Sequence, residues 1–172
     1  MAISIYTDGS ALAKRGHKSH MRGGCAVVFC INNEIKKTIS KGYTLTKIGR
    51  MELTAILIAL KVLAKDQKAT IYSDSMYCVN SFNKRWLQKW EHQNWIDLSK
   101  EKGKRLNADI LKQLLEEYRK FPRGAVKFKH IRGHQGNEFN EKADELASYR
   151  NFVEFEKDLV LTDEEKKVEG IL

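Results

Sequence analysis

Four acids stand where the sequence around them changes character. Asp8 closes the apolar stretch in "IYTDGS" and Asp74 closes that in "IYSDS"; Glu52 opens the periodic run "RMELTAIL", and Asp144 sits beside Ala143, Leu146 and Ala147 in "KADELAS". Neighbouring carboxylates repel unless a cation lies between them or one takes up a proton. A pair leaves both answers open, whereas a set of four favours a hard cation. Oxygen-only ligation suits Mg²⁺ or Mn²⁺. Two such ions about 3.5–4 Å apart clamp the attacking and leaving oxygens of a phosphodiester. Each acid alone has an ordinary reading. Glu52 fits the first turn of a helix beside its dipole, Asp144 a solvated helix face, Asp8 a turn before Gly9 and Ser10, and Asp74 a cap before Ser75. The set outweighs them. His134, between Gly133 and Gly136 in "RGHQGN", is either a solvated loop side chain or a proton carrier, since histidine as a residue type suits proton transfer near neutral pH.

For the two aspartates to meet, their strands must be parallel neighbours. Ile3 and Ile5 alternate with Ser4 and Tyr6, which predicts a strand over 3–7. "CAVVFCI" and "IKKTISKGYT", joined by "NNE", predict two more, an antiparallel meander. The period then changes, with Leu53, Ile56, Leu57, Leu60 and Leu63 marking one face of a helix over 50–65. "ATIYSD" reads as a short buried strand, followed by a helix with Ser75 as its N-cap. A basic helical stretch carries Trp86, Trp90 and Trp95 into the polar loop "SKEKGKRLNAD". After it come a helix stopped by Pro122, the strand "AVKFKHI", and a last helix "EFNEKADELASYR". This order predicts an α/β fold, a mixed sheet with helices on both faces. A right-handed crossover lays the strand at 70–73 parallel to the first. Asp8 and Asp74 then share the carboxyl-end edge where α/β sheets bind ligands.

"YTDGS" at 6–10, "GRMEL" at 49–53, "YSDS" at 72–75, "IRGHQGNEFNEKADELA" at 131–147 and the basic tryptophan segment together resemble ribonuclease H of the type 1 family, in the family's order and over about residues 1–150. The resemblance implies a ribonuclease H-like five-stranded mixed sheet, three antiparallel strands and then two parallel. It implies that Asp8, Glu52, Asp74 and Asp144 are catalytic acids binding two Mg²⁺ ions, with Mn²⁺ a substitute, and that the enzyme hydrolyses the RNA strand of RNA–DNA hybrids. His134 would assist catalysis or product departure. Gly9, Ser10 and Asn140 would lie near the RNA strand, and Trp86, Trp90, Lys84, Arg85 and Lys89 would grip the DNA strand. Core packing is the ordinary reading of the two tryptophans, and a helix-entry residue that of Asn140. A hybrid differs from DNA by its 2′-hydroxyls, read in the shallow minor groove. The chain departs from the family at "AKRGHKSHMRGG", where Asn-Pro-Gly is common, at "KIG", where Thr-Asn-Asn is frequent, and at Met76, often Gln. These positions touch substrate, so grip is rearranged while the acids stay whole, with Lys47 or Lys14 as replacement phosphate contacts.

Charge supports a polyanionic partner. The 172 residues carry a formal +9, yet residues 151–172 hold seven acids against three lysines, a net −4 that leaves +13 on residues 1–150. Residues 84–105 hold seven basic residues against three acids, and phosphate contacts from such a stretch weaken with salt. The chain divides into a catalytic domain over 1–150 and an acidic extension over 151–172. The extension's Phe152, Phe155, Leu159, Val160 and Leu161 predict packing of its first half, with a mobile end or a protein partner for the rest. Cys25, Cys30 and Cys78 have no metal-ligand spacing and read as reduced, buried thiols. With neither a signal-like leader nor an apolar run of about 18 residues, the expectation is a monomeric cytoplasmic enzyme with no membrane contact. Met1, two residues before the first strand, favours a free-standing chain. The competing reading is a catalytically idle hybrid-binding module of the same fold. Against it, four acids beside phosphates have no use without metal.

Overall fold

The computed structural model describes residues 2–12, 21–100 and 103–158; Lys14 and the extension beyond Asp158 lie outside them. The elements are β1 (Ile3–Ala11), β2 (Met21–Ile31), β3 (Glu34–Thr46), α1 (Ile48–Val62), β4 (Ala69–Ser73), α2 (Met76–Asn83), α3 (Trp86–His92), α4 (Ala108–Arg119), β5 (Val126–His130), α5 (Glu138–Ala147), a 3₁₀ turn at Tyr149–Asn151 and β6 (Glu156–Lys157). The sheet order is β5-β4-β1-β2-β3-β6. β1, β2 and β3 form the antiparallel meander, while β4 runs parallel to both β1 and β5.

Alternation along the strands assigns the two faces. Ile5, Val27 and Ile71 are fully buried in the larger core with Leu53, Ile56 and Leu60 of α1 and Leu111 and Leu114 of α4. Tyr6, Val28 and Cys30 point the other way, into a smaller core with Ala143 of α5. Each fully buried aliphatic side chain contributes about 1.5–3 kcal/mol, so α1, with nine buried residues, is held firmly on the sheet. That rigidity matters because α1 carries Glu52.

Several boundaries differ from the sequence expectation. β1 does not stop before Asp8; it continues against β2, with Asp8 paired to Ala26. What ends there is the parallel ladder, whose last pair is Thr7↔Ser73. Trp95 does not lie on the helix of Trp86 and Trp90. α3 stops at His92, and the left-handed φ of Asn94 (51°) and Trp95 (59°) turns the chain back. α1 starts at Ile48 and ends at Val62, and α5 ends at Ala147 because Ser148 takes an extended ψ of 121°. The sheet gains a sixth strand beyond the five expected. Tyr43 and Thr44 of β3 pair in parallel with Glu156 and Lys157, a segment too short and too charged to show a period.

Within the described part of the extension, Phe152 lies against the sheet. The Phe152 ring lies over Gly24 and Gly42, where an added Cβ would come within 2.4 and 2.7 Å of ring atoms. Glycine at both positions makes the seat for that ring. All three cysteines are free and buried. Among the described residues, no helix is long and apolar enough to cross a membrane.

Candidate metal centre

Asp8, Glu52 and Asp74 each offer a carboxylate oxygen within 4.8 Å of the other two. Three elements bring them together: the middle of β1, the second turn of α1, where Glu52 falls because the helix starts earlier than the sequence predicts, and the residue after β4. Gly9 makes the approach of α1 feasible. A Cβ there would stand 2.5 Å from the Glu52 backbone nitrogen and 2.7 Å from the Met51 carbonyl carbon. The Gly9 N–H is then spent inside the cluster, donating to Asp8 Oδ1 at 2.8 Å and to Glu52 Oε1 at 3.2 Å. The other Glu52 oxygen, Oε2, is buried with no hydrogen-bond partner among the described residues.

The electrostatics are those of an uncompensated cluster. Burial, then the charge of Asp74, pushes the Asp8 carboxyl well above its ordinary value. Burial, followed by Asp8 and then Asp74, pushes Glu52 up as well. Asp74, half-buried, is raised by burial and then by Asp144. A buried carboxylate oxygen without a donor costs stability unless something positive meets it. The three acids, with that oxygen among them, fit a hard divalent cation.

Asp144 stands apart from the trio, on α5, with its side chain 49 % exposed. It is near enough for its charge to raise both Asp8 and Asp74. His134, 80 % exposed and in a left-handed conformation (φ 55°), places Nδ1 3.8 Å from Asp144 Oδ2. Asn137 caps α5, accepting from the N–H groups of Phe139 and Asn140, which fixes the helix that presents Asp144 beside the loop of His134.

The predicted substrate-contact residues divide. Ser10 Oγ donates to the Ala147 carbonyl at 2.6 Å and accepts from Tyr149 N–H at 3.0 Å, so it ties β1 to the end of α5. Asn140 is buried, and its Oδ1 has no partner among the described residues. Lys47 is the N-cap residue of α1. On α3, Trp90 is buried between Tyr77 and the Arg105 guanidinium, whose carbon lies 4.5 Å from the ring centre. Trp86 is half-buried, with the Lys84 ammonium 5.8 Å from its ring centre. Lys84, Arg85 and Lys89 are exposed around them.

Two residues were missed in sequence. Arg50, two before Glu52, is buried and donates to Asp158 and Asp109. Its partners are distant in sequence, and nothing local announces them. His130 donates Nε2–H to the Asp74 carbonyl at 3.1 Å. Its signal was present: Val126, Phe128 and His130 share one face of β5, and the third is polar at the edge where the acids gather.

A candidate hard-cation site at the carboxyl-end edge of parallel strands in an α/β sheet is an arrangement suited to metal-assisted phosphoryl transfer. Residues 1–151 match the RNase H family. The chain is 39% identical over 145 residues to a Ribonuclease H of Syntrophus aciditrophicus (strain SB), covering 84% of this chain and 78% of that one. It is 38% identical over 146 residues to a Ribonuclease H of Caldanaerobacter subterraneus subsp. tengcongensis, covering 85% and 88%. Its fold is similar to that of LC9-RNase H1, a type 1 RNase H with the type 2 active-site motif (TM-score 0.65, 24% identity, covering 85% of this chain and 70% of that one). It is also similar to the PFV RNase H domain (TM-score 0.67, 24% identity, covering 84% and 91%). The chain belongs to the RNase H family, and with it to the endoribonucleases that hydrolyse phosphodiesters in RNA–DNA hybrids; the family is generally dependent on divalent metal.

Proposed function

We propose that residues 1–150 form a Mg²⁺-dependent endonuclease in which Asp8, Glu52, Asp74 and Asp144 are the catalytic acids, holding two ions as the cut is made in the RNA strand. The observation that carries this reading is the trio of carboxylates within 4.8 Å, with Glu52 Oε2 buried and unpartnered. When bound, the ions would supply an activated water and charge neutralisation at the leaving oxygen.

The chain's own residues do the rest. Glu52 and Asp8, fixed by the shared Gly9 N–H, form the rigid floor of the site, and Asp74 closes it from β4. Asp144, more exposed than the others, is the acid best placed to follow changes in the site through a turnover. His134 has free reach from its loop and a carboxylate 3.8 Å away. It can therefore take a proton from water or give one to the departing oxygen, with Asp144 stabilising the charged ring. Lys84, Arg85 and Lys89, exposed beside the half-buried Trp86, supply phosphate contacts and a stacking edge for the DNA strand, and Lys47 a further phosphate contact. Gly9, Ser10 and Asn140 lie near the RNA strand, Gly9 also admitting α1 against β1 and Ser10 tying β1 to the end of α5. The acidic extension over 151–172 is an appendage whose Glu156 and Lys157 pair with β3.

End-labelled RNA in an RNA–DNA hybrid, incubated with and without Mg²⁺ beside double-stranded RNA and duplex DNA, tests the reading. Metal-dependent cutting confined to hybrid RNA is expected; hybrid binding without cutting would leave the idle binding module in its place.

A further inference from the structure

The ladder between β4 and β5 ends at the pair Ser73↔His130, so the Asp74 carbonyl lies one residue past the last strand partner. It is met instead by a side chain: His130 Nε2–H donates to it at 3.1 Å. The segment after His130 keeps close to the same residue. Ile131 N–H donates to the Ser73 carbonyl at 3.0 Å. Gly133 passes so near that a Cβ there would stand 3.0 Å from Asp74 Oδ2. On the other side, Ser75 N–H donates to Ser73 Oγ at 3.1 Å. Asp74 is thus fixed through its flanking backbone, and His130 holds its carbonyl, which lies past the end of the β4–β5 ladder.

We propose that His130 is a positioning residue for the metal centre, anchoring the Asp74 peptide so that its carboxylate faces Asp8 and Glu52. Nε2–H is a donor in the neutral tautomer as well as in the charged ring, so the anchor does not depend on protonation. Asp74 is the least buried of the three clustered acids, and no hydrogen bond to its carboxylate from α1 or β1 is seen among the described residues. Its direction therefore rests on its backbone more than that of Asp8 or Glu52 does. The proposal depends on Asp8, Glu52 and Asp74 being metal ligands.

The test is calorimetric titration of Mn²⁺ into the metal-free, full-length chain at pH 8, for the wild type, Asp74→Asn, His130→Phe and His130→Gln. Thermal unfolding of each metal-free variant confirms folding. His130→Phe keeps the ring without the donor and is expected to weaken Mn²⁺ binding about tenfold, the range for groups that orient metal ligands. His130→Gln restores an N–H donor and should recover most of the loss, with hybrid KM at saturating metal unchanged in both. Wild-type Mn²⁺ affinity in the Phe variant, or an effect confined to hybrid KM, would overturn the proposal. If instead the wild type takes up no Mn²⁺ and Asp74→Asn behaves identically, the metal-ligand reading itself fails.

Discussion

Two buried charges stand two residues apart on α1 and are treated in opposite ways. Arg50 is 5% exposed and fully engaged. Its Nε and one terminal nitrogen donate to the two Asp158 oxygens at 2.7 and 2.8 Å, and further donors reach Asp109 at 2.9 and 3.1 Å and Asn107 Oδ1 at 3.2 Å. Thr46 Oγ1 donates to the same Asp158 carboxylate. Glu52 is 7% exposed, accepts one bond on Oε1 and leaves Oε2 unpartnered among two other acids. One helix thus carries a charge neutralised by its own chain and a charge left for something the chain does not supply. The first arrangement serves stability; the second gives stability up for function.

Substitution should separate the two. Glu52→Gln removes a ligand while relieving repulsion. Cleavage should fall by about 10³-fold, as expected where a metal supplies several kcal/mol of transition-state stabilisation. The metal-free protein should become more resistant to urea. Single-turnover assays and denaturation curves read both, and loss of activity together with loss of stability would break the contrast. Arg50→Ala should do the reverse, costing about 3–5 kcal/mol because it strands two carboxylates in a buried setting. Residual activity per folded molecule should be largely kept. Asp158→Asn leaves Arg50 its Asp109 contact, so a smaller loss of about 1–2 kcal/mol is expected, read as a shift in the urea midpoint. A neutral result there would mean that β6 and its Asp158 contact add nothing to the fold.

The same contrast explains what the sequence could reveal. Asp8 and Asp74 were legible because each closes an apolar stretch and Glu52 because it stands near the start of a periodic run, although only Asp74 lies at an element end, with Asp8 inside β1 and Glu52 in the second turn of α1. The parallel pairing of β1 with β4 followed from crossover handedness. Arg50 was not legible, since its partners lie 59 and 108 residues away and long-range ion pairs leave no local pattern. β6 escaped for the same reason, being two charged residues placed by backbone pairing with β3 and by the ion pair of Glu156 with Lys41. Trp95 was placed on a helix because spacing records which positions are apolar, whereas its position is set by a left-handed turn at Asn94 and Trp95.

The subtlest test of the contrast is pH. Asp8 and Glu52 have native carboxyl pKa values raised by burial and mutual repulsion. Between the ordinary carboxylate range and those raised values, the folded metal-free chain holds more protons than the unfolded one. Their contribution to stability is therefore largest at low pH and falls as pH rises through that window. Asp109 runs the other way. Burial raises it, but the Arg50 hydrogen bonds and charge outweigh that and hold it below its ordinary value. Its contribution is present above the unfolded pKa and is lost as pH falls through the native one. Urea stability of the metal-free wild type, taken relative to Glu52→Gln, should thus decline between pH 5 and 8 by on the order of 1 kcal/mol. Relative to Asp109→Asn, the wild type should hold its advantage across that interval and lose it only in stronger acid. Parallel curves for wild type and Glu52→Gln would mean that the acid cluster carries no proton penalty, and the distinction drawn between the two charges of α1 would then rest on geometry alone.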